Sequence, residues 1–187
     1  MPEAPAPALA PSGRHPALSA APIAAPGVRV RPLSPLSRWV LRGPDTLADP
    51  LGQAVLGAAL PLAPLASAQA GPRASLRLGP DEWLLLAEDG ARLALPAVNA
   101  PYSLVDIGHR NAALELDGPA AAELLAAGCP LDLDPAAFPP SSCTRTLFGA
   151  VEIVLWRPGA EPRFHLEVWR SFAAHLWAHL AEAAQDL

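Results

Sequence analysis

Val151-Glu-Ile-Val-Leu-Trp156 and Phe164-His-Leu-Glu-Val-Trp169 are the two runs whose reading decides the fold class. In the first, Val151, Ile153 and Leu155 alternate with Glu152, Val154 and Trp156. In the second, Phe164, Leu166 and Val168 alternate with His165, Glu167 and Trp169. A period of two puts each set on one face of a strand, and Pro158-Gly159 between the runs marks a turn, so an antiparallel hairpin is expected. A slip of one residue would exchange every face. From about Ser171 the period lengthens: Phe172, Leu176 and Leu180 recur at helical spacing beside Ala173 and Trp177. That predicts a terminal amphipathic helix covering one face of the sheet, with Trp169 and Phe172 docking it on the hairpin.

Upstream, Tyr102 to Ile107, Ala112 to Asp117 and Cys143 to Phe148 read as further strands. Gly118-Pro119 opens a helix that runs to Ala127 and stops at Gly128, because Pro loses no useful N–H at the first helical position and Gly takes the left-handed stop. The first half repeats this plan. The segment from Val28 gives a strand reaching Arg42, then Gly43-Pro44 turns the chain. Asp45 or Thr46 caps a helix running to about Leu60, and strands follow at Ala74 to Leu78 and Trp83 to Ala87. The expected class is α+β, with two ferredoxin-like β-α-β-β halves and a C-terminal amphipathic helix. Residues 1–27 are Pro-broken and poor in large apolar side chains, so a disordered arm is expected there, followed by a single domain over 28–187.

Hydrophobic residues make up 51% of the 187 and charged residues only 17%, a composition that folds but leaves a charge-poor surface, which favours a subunit over a free monomer. All 13 basic residues are Arg, which excludes a Schiff-base lysine and the Lys of a phosphate-binding loop. They are scattered singly in a chain of net charge -5, so no nucleic-acid partner is expected. Pro and Gly break the apolar stretches short of the ~20 residues a spanning helix needs, so no membrane partner is expected either. Cys129 and Cys143 are too few for a disulfide framework, and the start lacks a leader pattern, so a cytoplasmic address is expected.

Asp106-Ile-Gly-His109-Arg110 is the most suggestive polar cluster, offering a carboxylate, an imidazole and a guanidinium just past a strand. It can orient a small acid. The alternative is that Asp106 and Arg110 bond the loop backbone while His109 is exposed, and the absence of an adjacent nucleophile or second base favours that alternative. His175, His179 and Glu182 share a helical face, but a solvated flank explains them better than a metal site. Both cysteines read as packed thiols, and the Trp residues at 39, 83, 156, 169 and 177 as core rather than as a stack for a flavin or pterin. No residue carries a catalytic or metal-binding assignment, and no Gly-rich dinucleotide motif follows a strand.

Six blocks in order resemble sarcosine oxidase gamma subunits: Leu78-Gly-Pro-Asp-Glu-Trp-Leu-Leu-Leu86, Val105-Asp-Ile-Gly-His-Arg110, Gly128-Cys-Pro-Leu-Asp-Leu-Asp-Pro135, Cys143-Thr-Arg-Thr146, Glu152-Ile-Val-Leu-Trp-Arg157 and Leu166-Glu-Val-Trp-Arg-Ser-Phe172. Asp106 to Leu125 also resembles the glycine-cleavage T-protein, or aminomethyltransferase, superfamily of folate-binding proteins. The resemblance implies an aminomethyltransferase-type, folate-binding-like domain. It also implies a non-catalytic role beside alpha, beta and delta subunits in a heterotetramer. That enzyme would oxidatively demethylate sarcosine to glycine, form peroxide and pass the one-carbon unit to tetrahydrofolate. FAD, FMN, NAD and tetrahydrofolate are then expected in the partner subunits and no cofactor in this chain, with Asp106, His109 and Arg110 as vestigial binding candidates. A stand-alone folate-binding one-carbon transferase, with Asp106 and Arg110 holding the two ends of folate, is the alternative, and an unrelated structural binding module is a third reading.

Overall fold

Two antiparallel sheets pack face to face in the computed structural model, which describes residues 16–187. The strands are β1 (Ile23–Ala25), β2 (Val28–Pro32), β3 (Leu36–Arg42), β4 (Ser67–Ala70), β5 (Arg73–Gly79), β6 (Glu82–Glu88), β7 (Ser103–Asp106), β8 (Asn111–Asp117), β9 (Ser142–Phe148), β10 (Val151–Arg157) and β11 (Arg163–Trp169). The helices are α1 (Ala48–Leu56), α2 (Ala121–Ala126) and α3 (Ala173–Ala183). One sheet has the order β1-β2-β8-β11-β10-β9 and the other β4-β5-β6-β3-β7. The hairpin forms as the alternation requires, with Ile153 opposite Val168 and Leu155 opposite Leu166.

The two halves share one plan. In each, a strand is followed by a helix and a three-strand meander whose last strand returns beside the first: β3-β6-β5-β4 in one half and β8-β11-β10-β9 in the other. Each half also lends the strand before it to the other sheet. β2 precedes β3 but pairs with β8, and β7 precedes β8 but pairs with β3. The α+β class with two like halves is therefore the observed one; each half runs β-α-β-β-β, one strand more than the expected β-α-β-β, with strands exchanged between the halves. Val28 to Arg42 is two strands in different sheets because Pro32 and Pro35 cannot donate to a continuing ladder.

Burial follows from this exchange as four layers. Val30, Leu114, Leu116, Ile153, Leu155, Leu166 and Val168 on the six-stranded sheet pack under Leu124 and Leu125 of α2 and Leu176 and Leu180 of α3. On the five-stranded sheet, Trp39, Leu41, Trp83 and Leu85 pack under Leu51 and Val55 of α1. Between the sheets lie Ala74, Leu76, Leu84, Leu86, Cys143, Val154 and Trp156. Both faces of each central strand are covered, so Glu82–Ala87 is buried throughout.

Three further expectations are corrected. The arm expected to be disordered over 1–27 contains β1, whose Ile23 pairs with Val30, and Ala17 and Leu18 pack partly against the outer core; residues 1–15 lie outside the described residues. Pro26-Gly27, with Gly27 at φ 72°, is the turn signal that starts this hairpin. The first helix ends at Leu56 rather than Leu60, because Gly57 takes φ 71° and its N–H closes on Gln53 O. Trp169 and Phe172 do not dock α3: they are 44% and 47% exposed. A 3-10 turn over Arg170–Phe172 precedes the helix, so the buried row is Ala173, Leu176 and Leu180.

Leu176→Ala should therefore cost about 2–5 kcal/mol, as core Leu truncations do, whereas Phe172→Ala should cost almost nothing. With roughly 2–4 °C of melting temperature per kcal/mol for a chain this size, thermal unfolding separates the two variants cleanly. A matching drop for Phe172→Ala would place that ring back in the core.

Candidate functional site

The two exchanges run through residues 33–35 and 107–110, and Asp106, His109 and Arg110 stand at the second. Asp106 Oδ1 accepts the Gly108 N–H at 2.7 Å, an Asx-type turn that a short carboxylate makes readily. Ile107 N–H donates to Arg38 O at 2.9 Å, and Arg110 N–H donates to Ile107 O at 2.9 Å. The Arg110 guanidinium lies 4.8 Å from the centre of the Trp169 ring, and His109 is exposed. The hollow beside this loop, bordered by Arg38, His109, Asn111 and Arg170, holds about 20 Å³. That is room for about one water, against the ~300 Å³ or more of a small-molecule site, and of the three candidates His109 lines it.

The strongest electrostatic feature escapes the sequence reading. Arg38 of β3 is 2% exposed and faces Glu167 of β11 across the two sheets, Nε donating to Oε2 at 2.6 Å. His165 Nε2 is 2.9 Å from the other carboxylate oxygen, Oε1, and a second Arg38 nitrogen donates to Leu36 O at 3.0 Å. Burial alone would push the Glu167 carboxyl up, but the Arg38 charge and the His165 hydrogen bond outweigh it and hold the group below its ordinary range. A second bridge lies towards the edge. Glu82 at the start of β6 accepts from Arg42 at 3.0 Å and from Arg145 of β9, and these partners overcome its burial and lower its carboxyl too.

The remaining candidates are structural in place. Cys143 is fully buried, with Sγ 3.4 Å from Ala66 O, and burial pushes its thiol up to about 12, which removes the thiolate that redox chemistry needs. Cys129 is also buried and free. Trp83 Nε1 donates to Pro61 O at 2.8 Å and Trp156 Nε1 to Ser67 Oγ at 2.7 Å, so both rings are pinned as well as buried. The rings of His175 and His179 lie 4.3 Å apart, tilted by 51°, and among the described residues no three His, Cys, Asp or Glu gather as metal ligands. No helix of the described residues is long and apolar enough to cross a membrane.

The model of the sarcosine oxidase, gamma subunit family matches residues 44–186. The chain belongs to that family. Among gamma-subunit relatives, that of Corynebacterium sp. (strain P-1) is 37% identical over 117 residues, 60% of this chain and 57% of the relative. That of an Arthrobacter sp. is 39% identical over 114 residues, 58% of this chain and 56% of the relative. The chain thus spans little more than half the length of these relatives. A chain of the heterotetrameric sarcosine oxidase from Corynebacterium sp. U-96, solved in complex with pyrrole 2-carboxylate, superposes with a TM-score of 0.73 at 29% identity, covering 85% of this chain and 84% of that one. Glycine cleavage system aminomethyltransferase T from Bartonella henselae superposes at 0.54 with 18% identity, covering 82% of this chain and 45% of that one, which is a likeness of fold.

Glu167→Gln should destabilise this gamma-subunit fold by about 3–5 kcal/mol at neutral pH, because it leaves the Arg38 charge buried without its counter-ion. The pH dependence has a definite sign. A carboxyl depressed in the folded state contributes stability above its ordinary 4.5 and loses it as pH falls through the folded value. Urea unfolding from pH 7 to pH 3 should show the gap between wild type and Glu167→Gln closing below about pH 4.5. A gap that stays constant would mean that the pair carries no net charge stabilisation.

Proposed function

We propose that this chain is a non-catalytic assembly subunit of a heterotetrameric sarcosine oxidase. It sits in a cytoplasmic complex with alpha, beta and delta chains that oxidatively demethylates sarcosine to glycine, releases peroxide and hands the one-carbon unit to tetrahydrofolate. The carrying observation is the superposition over 85% of this chain and 84% of a chain of the Corynebacterium sp. U-96 heterotetramer. The site geometry supports the same reading. Arg38, Glu167, Glu82 and Arg145 are spent on joining the two sheets, and Asp106 on shaping a crossover. We assign FAD, FMN, NAD and tetrahydrofolate to the partner chains, and Asp106, His109 and Arg110 to the loop rather than to a ligand.

The test is expression alone and together with the other subunits. Alone, the purified chain should form no peroxide from sarcosine and bind no tetrahydrofolate. Co-expressed, it should purify with the flavin-containing chains, and a complex assembled without it should lose stability or yield. Sarcosine turnover or tight tetrahydrofolate binding by the isolated chain would overturn this reading in favour of a stand-alone one-carbon transferase.

A further inference from the structure

The two helices on the outer face of the six-stranded sheet, α2 and α3, end beside one open groove of about 490 Å³. Leu124, Ala127 and Phe148 supply its apolar lining, and Glu123, Glu182 and Asp186 its polar border. All three carboxylates are exposed. Among the described residues no Arg lines the groove. Arg145, three residues from Phe148, points to the opposite face of β9 and is held by Glu82. Arg29 and Arg31 alternate with Val28 and Val30, which face the helices, so they too lie on the far side of the sheet. Arg157 is at the other end of β10 on Phe138 O, and Arg170 precedes the start of α3. His179 does border the groove, but even a protonated His179 leaves three negative charges against one positive.

The placement of these acids runs against the helix that carries two of them. Lys, Arg or His⁺ in the last turn complements the partial negative charge of a helix C-terminus, yet neither α2 nor α3 has a basic residue there. Instead α3 puts Glu182 in its last turn and Asp186 just beyond, at the end where the helix dipole disfavours them. Carboxylates elsewhere are spent on partners within the chain: Asp45 on Arg77, Glu115 on Arg31, Asp117 on Arg163, and Glu82 and Glu167 between the sheets. Among the described residues Glu123, Glu182 and Asp186 have no such partner. Acids that break a local rule without compensation inside the fold mark a position kept for something outside it, and a cation is what would compensate them.

Resting on the gamma-subunit reading, we propose that this groove docks a basic segment of another subunit of the oxidase, which lays an Arg side chain along it. The aliphatic stem meets Leu124, Ala127 and Phe148, and the guanidinium, with its donors in a planar fork, reaches the carboxylates of the border. The volume is far above the ~30 Å³ share of one water, so a whole side chain enters. The open side admits a chain that arrives from outside, whereas a small free cation would need walls around most of its surface.

The experiment uses the full chain, tagged and co-expressed with the other subunits, and reads partner retained on the column together with apparent Kd for reconstitution at low and high salt. Glu182→Lys gives the end of α3 the charge it prefers, so the melting temperature should hold or rise. Association should nevertheless weaken roughly 30-fold at low salt and lose most of its salt dependence. Ala127→Trp, at an exposed position of right-handed helical backbone, fills the groove and keeps all three acids, and should weaken association about equally at both salt concentrations. Glu161→Lys makes the same charge change in the β10–β11 turn and should leave Kd within about twofold, as positions outside an interface do. If folded Glu182→Lys and Ala127→Trp variants both reconstitute as wild type, the docking inference is overturned and the subunit reading stands. If Glu161→Lys weakens association as much as Glu182→Lys, the effect is one of net charge and the groove is overturned likewise. If the wild-type chain retains no partner, the subunit reading itself fails and this inference falls with it.

Discussion

Arg38 and Glu167 meet with their side chains 2% and 0% exposed, one from each sheet, and the packing of the two sheets depends on that meeting. Removing both charges from solvent costs several kcal/mol each, and only close mutual placement recovers it. His165 occupies the second carboxylate oxygen and Leu36 O takes a further Arg38 donor, so the principal polar groups of the pair have partners. A one-residue slip of β3 against β6, or of β11 against β8, would turn one of these side chains to a helix-covered face and strand its partner as a buried charge. Apolar side chains such as Leu76, Leu84 and Val154 supply the adhesion of the inter-sheet layer, which tolerates many registers; the ion pair penalises the wrong ones. Trp156 Nε1 to Ser67 Oγ fixes the opposite corner by the same logic, with a neutral donor.

The alternation of Val151 to Trp156 and Phe164 to Trp169 made the hairpin legible because it reports which residues share a face. It does not report what covers that face. In a sheet with one wet side, Arg38 or Glu167 between apolar neighbours reads as a solvent-facing residue. Here both sides of the central strands are covered, and the same pattern conceals an inter-sheet ion pair. The clue available in advance was density: Trp83-Leu-Leu-Leu-Ala87 has no polar side to present to water, which implies cover on both faces and makes any charged neighbour in the layer a candidate for pairing.

Sheet membership was illegible for a related reason. Period-two patterning carries no information on partners, so nothing in Val28 to Arg42 or Tyr102 to Asp117 said that each segment divides between two sheets. Pro32, Pro35 and Gly108 mark the breaks, but the exchange emerges only when both crossovers lie side by side, Leu33 N–H on Ala113 O and Ile107 N–H on Arg38 O. β1 and β4 were missed because Ile23-Ala-Ala25 and Ser67-Ala-Gln-Ala70 contain too little apolar area to show a period, and pairing with longer neighbours holds them. Phe172 was misplaced by one turn geometry: three residues of 3-10 helix advance the chain differently from α-helix, so a row counted at 3.6 residues begins one position too early.

The exchange also accounts for the character of Asp106-Ile-Gly-His109-Arg110. A loop that carries the chain from one sheet to the other must place its backbone accurately, and a short carboxylate bonding two residues ahead does so without help from elsewhere. Such a loop resembles a ligand-binding loop in composition because both need polar side chains near a strand end. The hollow beside this loop holds about 20 Å³, space for a solvent molecule. Arg110 belongs to both descriptions: its backbone closes the crossover while its guanidinium lies over an exposed Trp169. Through Arg110 the crossover that carries the chain between the sheets is joined to an exposed aromatic ring at the edge of the six-stranded sheet.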